Sequence, residues 1–329
     1  MRTPPLSTPV SSLTKGLKRT REKSNAVETL NFTGNIFSRN VSQMQARQKI
    51  LHIIATRMFC KIRPIHDEEY FKKRLDIFEH FTLPSLTTQT NQNFHWVLLT
   101  NPNLKLKTHE RLKKLISSHA NIHIVYTNIT KELHNQKEYE TQFNLFLSSI
   151  NTQAEYFLSS RIDSDDCWNI QYVERLQAEA EILIDNKKLS KDTKGYLLTF
   201  PKGVICYPHK IRNKYGLVYC RKRYWSSSVD MLTSFSDRTP LYQFPHSRTR
   251  KFAKILKLRR VSIETQNAMW LYLQHSLNYA LTDQYKWFRW FKLIEKYFFK
   301  VQPLEDSKLK PFNQSQEKIN AFNKAFFCK

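Results

Sequence analysis

Glycine is scarce in this chain, with 5 in 329 residues. Gly16 and Gly34 fall in the N-terminal stretch, which leaves Gly195, Gly203 and Gly216 for the folded body. No two stand close enough to build a Walker A loop or a Gly-x-Gly-x-x-Gly turn, so phosphate cradling by glycine-rich backbone is excluded. Phosphate, if handled, must be held by side chains or a metal. Cysteine is as sparse: Cys60, Cys167, Cys206, Cys220 and Cys328 are odd in number and form no Cys-x-x-Cys pair. That excludes a patterned zinc site and a disulfide framework, and the expectation is a reducing, cytoplasmic location. No run of about 18 apolar residues is present, and the N-terminus lacks a signal peptide's apolar stretch, so a soluble protein is expected. Acidic residues are also few, 28 against 53 Lys and Arg.

What is present is a core-forming, basic chain. Hydrophobic residues make up 40% and aromatics 13%, which excludes wholesale disorder. The net charge of +25 calls for an anionic partner: nucleic acid, an anionic membrane or a phosphorylated substrate. From residue 202 to 260, fifteen basic residues stand against only Asp230 and Asp237, and the first 49 residues carry nine basic against two acidic side chains. A solvated basic face would give the same pattern.

Residues 1–48 are Ser/Thr-rich and basic, with Pro4, Pro5 and Pro9 early, and read as a mostly disordered extension; an Arg-rich targeting peptide would look similar. The body then alternates. Strand patterns at 50–59, 94–100, 121–126 and 155–160 are separated by helical patterns at 67–81, 108–119 and 138–150, with Asp67 as the expected N-cap of the first helix. One further helix is expected from Asn169 to about Asn186, then short strands at 196–200 and 217–221. Irregular chain is expected until Val261, and a helix-like run from Glu264. Such alternation predicts an α/β fold with a mostly parallel sheet.

The most informative stretch is Arg161-Ile162-Asp163-Ser164-Asp165-Asp166, directly after the fourth expected strand. Three carboxylates in four residues repel one another unless a cation joins them. Spacing i, i+2 at a strand's end throws Asp163 and Asp165 to one side, and ligands of parallel α/β sheets bind at the carboxyl ends of strands. Hard oxygen donors suit Mg²⁺ or Mn²⁺ bridging to phosphate. An exposed acidic turn leading into the next helix is the structural alternative.

Other segments narrow the reading: Thr56-Arg57-Met58-Phe59; Arg74-Leu75 with Phe78-Glu79; Phe81-Thr82-Leu83-Pro84-Ser85-Leu86; Gln89-Thr90; Asn93-Phe94-His95-Trp96; Phe200-Pro201-Lys202-Gly203; and Trp270 with His275-Ser276 and Asn278. With the Asp triplet, this ordered set resembles the putative rhamnosyltransferase family of GT-A-fold bacterial glycosyltransferases over roughly residues 50–279, most loosely at 229–244. The resemblance implies a GT-A, Rossmann-like fold with a mixed, mostly parallel sheet and a helical C-terminal region. The domain expected is 49–280, and the spacing beyond it reads 281–329 as a basic amphipathic helix and tail. The resemblance also implies a sugar, rhamnose for this family, moved from a nucleotide-diphosphate donor to a glycan or lipid-linked hydroxyl acceptor, with Mn²⁺ or Mg²⁺.

Carried over residue by residue, Asp163 would face the ribose, or the metal through water. Asp165 and Asp166 would ligate the cation, with His246 or His275 completing its shell. Thr56, Arg57 and Arg161 would serve the donor, though Arg57 and Arg161 could equally pair with one of the Asp residues; Arg74, on a helix, is the weakest donor candidate and is expected rather to position the first loop. An inverting transfer needs a carboxylate base; Asp237, Asp230 and Glu264 are the candidates, Asp237 foremost, and the basic surroundings of the two Asp residues would keep them ionised. At 285–300, Lys286, Arg289, Lys292, Lys296 and Lys300 share a helical face opposite Trp287, Phe291, Ile294 and Phe298, which could lie on an anionic membrane or close the core. A nucleic-acid-binding protein explains the charge but not the triplet, and a two-metal nuclease would need further acids at other strand ends.

Overall fold

The computed structural model describes residues 49–59, 67–127, 136–150, 152–186, 193–211, 214–221, 228–239, 249–273, 303 and 305–326. Eleven strands lie in these segments: β1 (Ile50–Phe59), β2 (His95–Thr100), β3 (Ile122–Tyr126), β4 (Tyr156–Arg161), β5 (Asp166–Trp168), β6 (Gly195–Thr199), β7 (Lys202–Ile211), β8 (Lys214–Arg221), β9 (Val229–Ser234), β10 (Leu258–Ser262) and β11 (Trp270–Leu273). Seven form one sheet in the order β10-β6-β9-β4-β1-β2-β3. Neighbours run parallel except β9, which is antiparallel to both β4 and β6. The expected mixed, mostly parallel α/β sheet is what the chain forms.

Strand β1 is central and buried along most of its length, which is why its sequence reads as a near-continuous apolar run rather than an alternation. Leu51, Ile53, Val97, Leu99 and Phe157 project to one face and meet Phe143, Phe146 and Leu147 of helix α4 (Gln136–Ser149). Ile54, Leu98 and Leu158 project to the other. There they join Leu75 of helix α1 (Glu68–Ile77), Leu112 of helix α3 (Leu106–Ile116) and Tyr172, Val173, Leu176 and Ala180 of helix α5 (Tyr172–Asp185). The first expected helix starts as read: the Asp67 side chain accepts the Tyr70 N–H at 2.8 Å, with Glu68 and Glu69 in the positive first turn.

That helix does not stop at residue 81. A π-helical segment (Phe78–Thr82) carries it into the short helix α2 (Leu83–Thr87). Pro84 has no N–H and would crowd the His80 carbonyl in a continuous α-helix, so the chain widens there. The carbonyls of the widened turn find other partners. Gln314 Nε2 donates to His80 O at 3.1 Å, and Cys167 Sγ to Phe81 O at 3.3 Å.

A second sheet has the order β5-β11-β7-β8. With β9 and β10 of the first sheet, its strand β7 overturns the expectation of irregular chain before Val261, and β11 that of a helix-like run from Glu264, because residues 270–273 pair as a strand with β5 and β7. Gly203 makes this packing possible: a Cβ there would lie 2.0 Å from two ring atoms of Trp270. The Trp270 indole N–H is satisfied by Phe200 O at 2.9 Å. Helix α6 (Thr249–Ile255) precedes β10, and helices α7 (Asp306–Leu309) and α8 (Gln316–Phe326) follow β11. Leu309, Phe312 and Ile319 share a buried cluster with Ile77, Phe81, Val204 and Leu271, so residues beyond 305 pack into the same body as the second sheet. The amphipathic run at 285–300 lies outside the described residues.

Candidate functional site

Going outward from β1, the chain proceeds through β2 and β3 on one side and returns to place β4 on the other. The strand order therefore reverses between β1 and β4, the switch point beside whose carboxyl ends ligands of such sheets bind. The register Ala55↔Arg161 and the Ile162 N–H to Ala55 O bond of 3.1 Å set Thr56 and Arg57 level with the start of the Asp triplet. The triplet bridges the two sheets: β4 ends at Arg161 and β5 begins at Asp166, whose N–H closes a turn onto Asp163 O at 3.1 Å.

Within this turn the three carboxylates differ. Asp163 is half-buried, Asp165 is 6% exposed and Asp166 is fully buried opposite Tyr272. Arg74 of α1 reaches over to the turn. Its Nη1 donates to Asp165 Oδ2 at 2.8 Å and its Nη2 to Ser164 Oγ at 2.5 Å. Burial works against the charge on Arg74, but the fields of Asp165, Tyr70 and Asp163 outweigh it, and the guanidinium pKa is held above its ordinary value. Arg161 is buried at the last position of β4, and Arg57 is half-buried on β1. Thr56 is buried, and its hydroxyl accepts the Trp96 indole N–H at 2.9 Å, a contact within the core.

The two carboxylates foremost as base candidates part company. Asp230 faces Ser160 across the β9–β4 pairing and has no exposed surface, where the basic composition of its segment had suggested an ionised surface group. Tyr172 donates to its Oδ2 at 2.8 Å. Burial pushes its pKa up to about 7, against the downward pull of the Ser160 and Tyr172 hydroxyls. Asp237 is exposed on the turn after β9, accepting from Ser234 Oγ at 3.0 Å with Lys194 at 3.9 Å. Because β9 is antiparallel to β4 and Ser234 lies opposite Tyr156, Asp237 hangs off the amino end of β4, remote from the triplet. Glu264 lies two residues past β10, at the same sheet end as the triplet but three strands away from β4. His246 and His275 lie outside the described residues.

Several supporting residues carry no sequence signal of their own. Trp168 stacks on Tyr172 with ring centroids 4.0 Å apart and planes 6° from parallel. Below them His52, Ser160 and Gln177 form a buried chain: Gln177 Nε2 lies 3.0 Å from His52 Nδ1, and His52 Nε2 lies 2.8 Å from Ser160 Oγ. The amide donor assigns the Nε2–H tautomer to His52, and burial, then His95, pushes its pKa down to about 3, so it is neutral. Asn169 ties the turn to the second sheet: its N–H donates to Met269 O at 2.9 Å and its side-chain amide to Ala268 O at 2.9 Å. Among the described residues no three His, Cys, Asp or Glu side chains gather as a preformed metal cage. No helix among them is long and apolar enough to cross a membrane.

The acidic turn and its arginines thus sit at the switch point of an α/β sheet, the end at which ligands of such folds bind. The family is shown by the sequence itself. Over residues 46–284 the chain matches the family described as putative rhamnosyl transferase, and it belongs to that family. No curated protein matches. Among solved structures, S. aureus TarS 1-349 is 12% identical, covering 84% of this chain and 72% of its own, at a TM-score of 0.33. A putative nucleotide-diphospho-sugar transferase from Desulfovibrio desulfuricans G20 is 8% identical, covering 82% and 97%, at 0.37. The mannosyltransferase PcManGT from Pyrobaculum calidifontis, solved with GDP-Man and Mn²⁺, is 11% identical, covering 85% and 74%, at 0.38. These likenesses are too remote to define a site or a substrate.

Proposed function

We propose that this chain is a GT-A glycosyltransferase that moves a hexosyl group, rhamnose in keeping with its family, from a nucleoside-diphosphate sugar to a hydroxyl acceptor of a glycan or lipid-linked saccharide. The observation that carries the reading is the Asp163-Ser164-Asp165-Asp166 turn at the β1/β4 switch point of a chain that belongs to a transferase family. In this reading Arg57 and Arg161 balance the donor diphosphate, and Asp163 faces its ribose or its cation.

The donor set fits a divalent cation. All the side-chain ligands on offer are carboxylate oxygens, suited to Mn²⁺ or Mg²⁺, and such ions are commonly held by one or two carboxylates plus substrate phosphate. Asp163 and the oxygen of Asp165 not bonded to Arg74 would hold it; Asp166, buried within β5, would hold the turn. When bound, the cation would neutralise charge that develops on the leaving diphosphate. Asp230 is sealed in the core and Asp237 lies at the other sheet end, so neither is assigned as base. Glu264 shares the sheet end of the triplet and is the carboxylate to test first. Cys167 and Cys206 are free, buried thiols, with burial raising both pKa values, that of Cys206 to about 12, which suits the reducing cytoplasm proposed as its location.

Thermal stabilisation by a panel of nucleoside diphosphates and nucleotide sugars, with and without Mn²⁺, tests the reading. One nucleotide is expected to stabilise the wild type in an Mn²⁺-dependent manner, with the effect lost in Asp163→Ala and Asp165→Ala. Stabilisation by oligonucleotides alone, weakening steeply with salt and indifferent to Mn²⁺, would establish the nucleic-acid-binding alternative instead.

A further inference from the structure

Arg74 gives both limbs of its guanidinium to the triplet turn. It grips Asp165 and Ser164 at 2.8 and 2.5 Å across 91 and 90 residues of chain. The side chains of Arg74 and Asp165 are only 10% and 8% exposed, so water neither screens the pair well nor replaces either partner. Its anchor is firm: α1 begins at the Asp67 cap and runs on through the π-helical segment, whose carbonyls are held by Gln314 and Cys167.

A guanidinium and a divalent cation at one carboxylate compete. Bringing a doubly charged ion within a few ångströms of a fixed positive charge is costly in a partly desolvated turn, far more so than in open water. With Arg74, the sheet end gathers Arg57 and Arg161 against Asp163, Asp165 and Asp166, so the formal charges of these six residues balance before any ligand arrives. A diphosphate changes that balance by adding negative charge between the arginines and the turn.

We infer that Arg74 is a built-in counter-cation that positions Asp165 and withholds it from a free divalent ion, so that the ion enters together with a nucleoside diphosphate. Joint entry rests on the transferase reading; the competition at Asp165 does not. Arg74 is thus a positioning residue rather than a donor ligand. Its removal should raise affinity for the bare ion, an effect that loss of structural support would not produce.

The test is an Mn²⁺ titration of the full chain without nucleotide, following loss of the aqueous Mn²⁺ EPR signal, on the wild type, Arg74→Gln and Arg74→Gln/Asp165→Asn. Arg74→Gln is expected to bind Mn²⁺ about tenfold or more tightly than the wild type. The double variant should return to the wild-type level or below. Equal Mn²⁺ binding by wild type and Arg74→Gln, or a gain that survives Asp165→Asn, overturns the inference. Should Arg74→Gln fail to fold by circular dichroism, Ser164→Ala removes one limb of the grip; about a threefold gain is expected, and no gain in a folded Ser164→Ala overturns the inference. Adding the nucleoside diphosphates to the wild type should raise Mn²⁺ affinity at least tenfold for one of them. If none does so in any variant, joint entry and the transferase reading both fall, while the ratio of Arg74→Gln to wild type still judges the competition at Asp165.

Discussion

The parallel unit β3-β2-β1-β4 and the second sheet β5-β11-β7-β8 are held together by different kinds of neighbour. In the first, β1, β2 and β3 follow one another through helical crossovers and pair in chain order, while β4 closes on β1 with Ile50 opposite Tyr156. In the second, a three-residue strand beginning at Asp166 pairs with residues 270–272, which pair in turn with 203–205. The first unit is wholly parallel and built by helical crossovers, whereas the second joins an antiparallel β7–β8 pair to the long-range closure of β5 on β11. The acidic turn sits where one becomes the other, so its geometry depends on both.

That contrast can be broken experimentally. The largest effect is expected from Trp270→Ala, which empties the centre of the second sheet and strands the Phe200 carbonyl; about 3–5 kcal/mol is expected. Denaturant unfolding followed by hydrogen exchange should show α7, α8 and β7 losing protection before β1 and β2. Equal loss in both units would mean that they are not energetically distinct.

A pH effect should come next. Burial raises the folded pKa of Asp230 to about 7 from its ordinary 3.8. A carboxyl raised on folding adds stability that is fully present below the unfolded pKa and lost as pH rises through the folded one. The wild type should therefore lose stability between about pH 4 and pH 7, by a few kcal/mol at most, while Asp230→Asn shows a flatter profile. Parallel pH profiles of the two proteins would remove Asp230 as the cause.

Gly203→Ala should be comparable or smaller, at roughly 1–3 kcal/mol, because its Cβ would overlap the Trp270 ring at 2.0 Å. A melting temperature unchanged from the wild type would show that β7 and β11 can separate without cost. The smallest effect belongs to the parallel unit. Asp67→Ala removes the cap of α1 and should cost about 1 kcal/mol in chemical denaturation, with Asp67→Asn largely restoring stability.

The elements legible in the sequence were those whose apolar spacing is set by their own local geometry. Residues 50–59 read as a buried strand because both faces are covered. The 138–150 pattern read as a helix because Phe143, Phe146 and Leu147 meet one sheet face. Strand β11 was misread because four apolar residues, Trp270 to Leu273, suit a buried strand or a helix equally, and only pairing decides. The same holds for the site. That Asp163, Asp165 and Asp166 end a parallel strand could be read from order along the chain. That Thr56 serves Trp96, that Asp230 is sealed beneath Tyr172 and that Asp237 points off the far end could not.

By itself the sequence determined the α/β alternation, the absence of a glycine phosphate loop and the placing of an acidic turn at the carboxyl end of β4, all consequences of spacing over a few residues. Tertiary structure alone decided which cation Asp165 meets, which carboxylate is buried and which strand closes the second sheet. Those depend on groups brought together across 91 residues between Arg74 and Asp165, 58 between Tyr172 and Asp230, and 70 between Phe200 and Trp270. Local periodicity carries no record of such distances, because burial and charge pairing are settled only when the whole sheet has closed.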